Sequence, residues 1–197
     1  MYKMNNIIKT EKSYLNVYTD SSEEYINLIK LCVAEITDKL IENPKINIYG
    51  KSAIQHRSIG FFSNNSIGYY YSGQLAKSQT LTNNLSILLD KINIKFDSKF
   101  NGILVNKYIN GNDYIGAHSD DETSLDKCGV VCISYGAVRK FRIKDKITKK
   151  TIVDIPTISN NILHMGGDFQ KEFTHEIPIE KKIKEVRYSF TFRKHNK

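Results

Sequence analysis

Between positions 21 and 42 the apolar residues Tyr25, Leu28, Ile29, Cys32, Val33, Ile36 and Leu40 recur at helical spacing, which gathers them on one face of a helix. Asp20 or Ser21 stands where an N-cap is needed, and Pro44 lies just past the end. A second stripe, Leu81, Leu85, Leu88, Leu89 and Ile92, predicts a helix over 81–91. Elsewhere the period shortens. Segments 46–49, 68–71, 103–109, 130–135, 138–143, 151–155, 161–165 and 186–192 are short and rich in β-branched or aromatic residues, with Gly, Asn and Asp between them. Two helices and about eight such strands predict an α+β, β-rich, jelly-roll-like sandwich with the helices against one sheet.

The last strand is the most informative of these. In Arg187-Tyr188-Ser189-Phe190-Thr191-Phe192-Arg193, strict alternation puts Tyr188, Phe190 and Phe192 on a core face and Arg187, Ser189, Thr191 and Arg193 on the other. The arginine backbones are roughly 20 Å apart along such a strand, so both reach one dicarboxylate only by leaning inward. A guanidinium fork is the preferred carboxylate receptor; the plainer reading is an exposed arginine pair. In the segment 104–108, Leu104, Asn106 and Tyr108 share a face, which offers an amide and a phenol to a common cavity.

Between these strands lies His118-Ser119-Asp120, followed much later by His175. Two imidazoles and one carboxylate are the protein ligands of a non-haem Fe(II) facial triad. Residues i and i+2 of an extended strand point to the same side, so His118 and Asp120 can chelate one ion while a distant strand brings the third ligand. His164, in the apolar run Ile162-Leu163-His164-Met165, competes with His175 for that third place.

At 197 residues the chain is long enough for one domain with its own core. Residues 1–45 read as an N-terminal segment and helix packed on a core spanning 46–197. Cys32, Cys128 and Cys132 form no Cys-x-x-Cys pair, which fits reduced thiols in an intracellular protein better than a disulfide frame. No signal-like or membrane-length apolar run is present, so a soluble, unexported monomer without a membrane partner is expected. The formal charge of +8 and pI near 9.2 suit a polyanionic partner; an AT-rich genome that favours Lys, Asn and Ile produces the same bias. The lysines of 144–150 read as a solvated hairpin loop.

In order along the chain, Ile48-Tyr49-Gly50-Lys51, Tyr69-Tyr70-Tyr71-Ser72-Gly73, Asn106-Lys107-Tyr108-Ile109-Asn110-Gly111, His118-Ser119-Asp120-Asp121-Glu122, Ile133-Ser134-Tyr135-Gly136, His175 and Thr191-Phe192-Arg193-Lys194 resemble the AlkB family of Fe(II)- and 2-oxoglutarate-dependent dioxygenases. The likeness covers about 46–194. It implies a double-stranded β-helix core in which His118, Asp120 and His175 hold Fe(II), with His175 preferred over His164 because Gly166 to Thr174 matches the family's approach to its distal histidine. It assigns Asn106, Tyr108, Arg187, Ser189, Thr191 and Arg193 to 2-oxoglutarate, although Ser189 stands where relatives often have Asn. O2 is the other cosubstrate.

The resemblance further implies hydroxylation of an N-methyl group coupled to release of succinate and CO2, after which the hemiaminal sheds formaldehyde and restores adenine or cytosine from 1-methyladenine or 3-methylcytosine. The expected partner is nucleic acid, DNA with a duplex preference, or RNA; a protein or small-molecule substrate is the alternative, and a non-catalytic nucleic-acid-binding domain a third reading. A base must leave the stack to reach such a site. By resemblance Tyr69, Tyr71 and Ser72 line the base pocket within a recognition region at about 46–75, Asp121 and Glu122 meet the base or order the site, and Arg57 clamps it. Tyr49, at the tip of Ile48-Tyr49-Gly50, fills the gap left by the flipped nucleotide; as plain sequence it also reads as an edge-strand aromatic before a turn glycine. Lys181, Lys182 and Lys184 resemble a tract that steadies the opposite strand.

Overall fold

The computed structural model of the protein describes residues 3–48, 51–71, 74–120 and 128–194. Strands β1 (Lys3–Lys9) and β2 (Ser13–Thr19) precede helix α1 (Glu23–Ile36). Then come β3 (Lys45–Ile48), β4 (Lys51–Ile54), β5 (Ser58–Phe62), β6 (Gly68–Tyr71), β7 (Gln74–Gln79) and helix α2 (Asn83–Phe96). The remainder runs through β8 (Gly102–Tyr108), β9 (Ile115–His118), β10 (Val130–Gly136), β11 (Lys140–Asp145), β12 (Thr151–Pro156) and β13 (Asn161–Gly167). A single turn of helix, α3 (Phe169–Glu172), leads into β14 (Phe173–Ile177) and β15 (Arg187–Arg193).

A nine-stranded sheet has the order β1-β2-β13-β10-β15-β8-β5-β7-β6, and a four-stranded sheet the order β12-β11-β14-β9; β3 and β4 pair as a separate hairpin. The alternation read from sequence sorts the large sheet into two faces. Ile103 and Val105 of β8, Val131 and Ile133 of β10, and Tyr188, Phe190 and Phe192 of β15 pack with Leu28, Ile29, Cys32 and Ile36 of α1 and Leu85, Leu88 and Ile92 of α2. The opposite face meets the small sheet, where Val130, Cys132, Leu163 and Met165 pack on Phe141, Ile143, Ile155, Phe173 and Ile177. The polar face of β15 is therefore not solvated but enclosed between the sheets, with Arg187 and Arg193 buried. The plainer alternative, an exposed arginine pair, is thereby set aside, because the second sheet covers both side chains.

Helix α1 starts one or two residues later than predicted. Ser22 is the N-cap, its hydroxyl accepting from the Tyr25 N–H, while the Asp20 carboxylate accepts from the Ser22 N–H. The helix stops at Ile36, short of 42, where Thr37 to Lys39 tightens into a 3-10 turn. Helix α2 begins under a Thr82 cap and runs past 91 to Phe96, ending on Asp97 in the left-handed region. Strands β1, β2, β4, β5, β7, β9 and β14 lie outside the predicted segments. Of these, β2 extends the large sheet by pairing with β13, so the N-terminal segment contributes a sheet hairpin as well as a helix. Gly136, ending β10 at φ +96, would place a Cβ 2.3 Å from the Val186 carbonyl oxygen, which explains a glycine at this turn.

Phe190 is wholly buried between β15 and the helices. Phe190→Ala is expected to cost about 3–5 kcal/mol, read in urea unfolding as a lower midpoint at unchanged slope.

Candidate metal centre

Strands β9 and β14 lie side by side in the small sheet with His118 directly opposite His175. That register brings the imidazoles together, centroids 4.4 Å apart. Asp120 follows two residues after His118, but β9 ends at His118, so the chelate is not built on one continuous strand as predicted. Ser119 Oγ donates to the Phe173 carbonyl at 2.8 Å and the Asp120 N–H donates to Gln170 Oε1 at 2.9 Å. These two bonds fix the departing chain so that the carboxylate still turns to the imidazoles. His118 Nε2 lies 3.6 Å from Asp120 Oδ1 and His175 Nε2 3.7 Å from Oδ2, and a ligand atom of each of the three residues falls within 4.8 Å of the others. Among the described residues this is the one such cluster of possible ligands.

Each ligand is oriented from behind. His118 Nδ1 donates to the Gly116 carbonyl at 2.8 Å; since a carbonyl only accepts, Nε2 keeps its lone pair. His175 stacks on Phe141, centroids 5.1 Å apart. Arg193 Nη2 donates to Asp120 Oδ1 at 2.7 Å, while Asp120 Oδ2 is buried and accepts no hydrogen bond among the described residues. His164 is excluded. It faces the helix side, its Nε2 donating to the Cys128 carbonyl at 2.8 Å, and meets Phe96 edge-on.

The cavity beside these ligands is lined by Asn106, Tyr108, Arg187, Ser189, Thr191 and Arg193, all buried, and by Arg57 and Tyr69. The pairing of β8 with β15 sets Arg187 opposite Tyr108 and Ser189 opposite Asn106, so these side chains meet on one wall. The two arginines differ in their protein partners among the described residues. Arg193 is engaged by Asp120 and lies over the Tyr69 ring at 4.7 Å. Arg187 donates from Nη2 to Ser134 Oγ at 3.0 Å and from Nε to Thr157 Oγ1 at 3.2 Å, both neutral. Its Nη1 finds no acceptor among the described residues, and its guanidinium sits over the Tyr108 ring at 5.1 Å.

Arg57 is a wall residue, 5% exposed, with Nε donating to Asn106 Oδ1 at 2.8 Å. That bond leaves the Asn106 amide N–H groups as its donors toward the cavity. The Tyr71 backbone belongs to β6, but its side chain, together with Tyr49, Ser72, Asp121 and Glu122, lies outside the described residues. Sequence reading passed over Gln170, Phe141, Ser134 and Thr157, which act through the ligands or through Arg187. Only Ser134 carried a signal: it shares the cavity face of β10 with Cys132, a small hydroxyl following the apolar run Val130 to Ile133.

The family model described as the 2OG-Fe(II) oxygenase superfamily matches residues 15–193. The chain belongs to this superfamily. Its curated relatives are of AlkB type: it is 28% identical over 158 residues to the human DNA oxidative demethylase ALKBH2, covering 76% of this chain and 60% of that protein. It is 34% identical over 118 residues to the bovine alpha-ketoglutarate-dependent dioxygenase alkB homolog 3, covering 55% and 41%. The chain thus spans about 60% or less of these relatives' length. The solved structure of OsALKBH1 aligns over 97% of this chain and 100% of its own, with a TM-score of 0.61 at 15% identity, a likeness of fold.

The residues present fit the superfamily's Fe(II) and 2-oxoglutarate. Burial lowers the His175 imidazole to about 3, helped by His118, and lowers His118 against the pull of Asp120, so both rings are neutral, as ligands must be. Burial alone would raise the Asp120 carboxyl, but Arg193 and then the two histidines hold it below the ordinary value. Burial pushes the Tyr108 phenol up against Arg57 and Arg187, keeping its proton as a donor. A buried guanidinium with neutral partners and an orphaned N–H is expensive, and a carboxylate is what relieves it.

The metal-free protein is expected to bind one Fe(II), or Co(II) as a coloured substitute, and His118→Ala, Asp120→Ala and His175→Ala each to lose that binding in a spectroscopic titration. Because the folded imidazoles lie below 6.5, the unfolded chain takes up protons first as pH falls. The metal-free protein should therefore lose stability from about pH 6.5 toward pH 3, and His175→Phe should flatten that slope in thermal unfolding.

Proposed function

We propose that this chain is an oxidative demethylase of alkylated bases in nucleic acid. The observation that carries the reading is the pairing, in one cavity, of a His-Asp-His ligand set with a buried guanidinium that has no counter-charge among the described residues. The names of its relatives, a DNA oxidative demethylase and an alpha-ketoglutarate-dependent dioxygenase, supply the substrate class.

In this reading His118, Asp120 and His175 hold Fe(II), and Arg187 receives the distal carboxylate of 2-oxoglutarate, with Tyr108 and Asn106 donating beside it. When bound, the iron and its cosubstrates supply the oxidation of an N-methyl group, whose hemiaminal then releases formaldehyde. The protein's part is to fix geometry. Arg193 holds one oxygen of Asp120 and leaves Oδ2 for the ion, Gly116 selects the His118 tautomer, and Ser134 and Thr157 keep the Arg187 fork aimed. Tyr69 flanks the entering base.

The substrate we propose is DNA carrying 1-methyladenine or 3-methylcytosine. The β3–β4 pairing, with Ile48 opposite Lys51, supports a duplex preference: in the sequence Tyr49 and Gly50 fall between these two residues, and a tyrosine there would serve as a wedge entering the stack. The Lys181, Lys182 and Lys184 loop before β15 then steadies the second strand, and the positive chain charge suits its phosphates. No helix of the described residues is long and apolar enough to cross a membrane.

Formaldehyde release should appear with methylated duplex DNA, less with single-stranded DNA or RNA, only with Fe(II) and 2-oxoglutarate, and vanish in His175→Ala. Arg187→Met should raise the KM for 2-oxoglutarate by at least tenfold, in keeping with a lost charged hydrogen bond of about 1.5–3 kcal/mol. Turnover of a protein or metabolite with none on any oligonucleotide would overturn the substrate class and leave the cofactor chemistry standing.

A further inference from the structure

A second concavity of about 360 Å³ lies between the β3–β4 hairpin and β9. It shares Arg57 and Ile115 with the metal cavity, so the two adjoin. One wall carries His56 and Tyr114, whose rings are stacked with centroids 4.9 Å apart and planes inclined by 20°. The Tyr114 N–H donates to the His56 carbonyl at 3.0 Å, which ties the two segments and holds the rings together. His56 is exposed and Tyr114 half-buried, so the stack reaches from the wall to solvent.

Two further observations point to an occupant. Gln55, 4% exposed and lining the same groove, has an Oε1 that accepts no hydrogen bond among the described residues; an unmet buried amide oxygen is unfavourable and marks a missing donor. Across from it, exposed Gly116 and Ala117 leave the edge strand bare, with open space where a Gly116 side chain would stand. No carboxylate lines the groove, in a chain of net charge +8.

We propose that this groove holds the nucleotide adjacent to the one that enters the metal cavity, its base stacked on the His56–Tyr114 pair and one of its donors, an exocyclic amine or a sugar hydroxyl, meeting Gln55 Oε1. The inference rests on the nucleic-acid reading above. An aromatic pair already stacked offers a flat face that accepts any base, and stacking of this kind binds without reading sequence. The bare β9 edge leaves the nucleotide's sugar and phosphate room to pass.

A pentanucleotide with 2-aminopurine beside its central base, bound to metal-free protein, should be quenched relative to its complex with Tyr114→Ala, and Tyr114→Phe should retain the quenching. In turnover, the ratio of kcat/KM for a methylated pentanucleotide to that for the methylated mononucleotide should fall roughly tenfold in Tyr114→Ala and stay near wild type in Tyr114→Phe. Turnover with an unchanged ratio and unchanged fluorescence overturns the subsite and leaves the demethylase reading intact. Equal loss on both substrates marks Tyr114 as a folding residue and likewise overturns it. Absence of turnover on every oligonucleotide by the wild type overturns the demethylase reading, and this subsite with it.

Discussion

The ion pair between Arg193 and Asp120 ties the two sheets together at the point where the chemistry must occur. Arg193 ends the central β15 of the large sheet, and Asp120 follows the edge strand of the small one. Both side chains are almost fully buried. In water such a pair would contribute little; enclosed here, either partner alone would be an uncompensated charge, and removing one typically costs about 3–5 kcal/mol. The same contact keeps the carboxylate ionised and turns its second oxygen to the imidazoles. Stability and ligand geometry are thus one constraint.

That constraint needs a sheet with two unlike buried faces. On β8, β10 and β15 one set of alternate residues is aliphatic and aromatic and meets the helices, while the other set carries the arginines, Asn106, Tyr108 and Ser134 into the space between the sheets. The alternation in Arg187 to Arg193 was plain in the sequence, and so were the two helices, because long apolar stripes dominate their surroundings. The short strands were not. Ile115-Gly116-Ala117-His118 has neither β-branched density nor alternation, and becomes a strand only because β14 lies beside it. The β1–β2 hairpin, rich in Asn and Lys, is held by pairing with β13 rather than by its own pattern.

The ligand set was legible through its context: His-x-Asp by itself is a common pattern, and the ordered motifs around it carried the family. What was hidden is the support. Gln170, Ser134 and Thr157 are common polar residues whose importance comes from one hydrogen bond each to a distant backbone or guanidinium. The different protein partners of Arg187 and Arg193 were hidden too, since strand spacing says where the two stems start and nothing about which side chain each head meets.

Strand β9 is the outer edge of the small sheet, and its far side carries exposed Gly116 and Ala117. Its register with β14 sets Ile115 opposite Ile177 and His118 opposite His175. An ion shared by those rings would act as a rivet on the margin of the fold, so stripping it with a chelator would loosen this border first. Loss of that border would bare the edge of β14 as well, a further row of unsatisfied backbone groups open to any other chain, and so would favour self-association of the metal-free form.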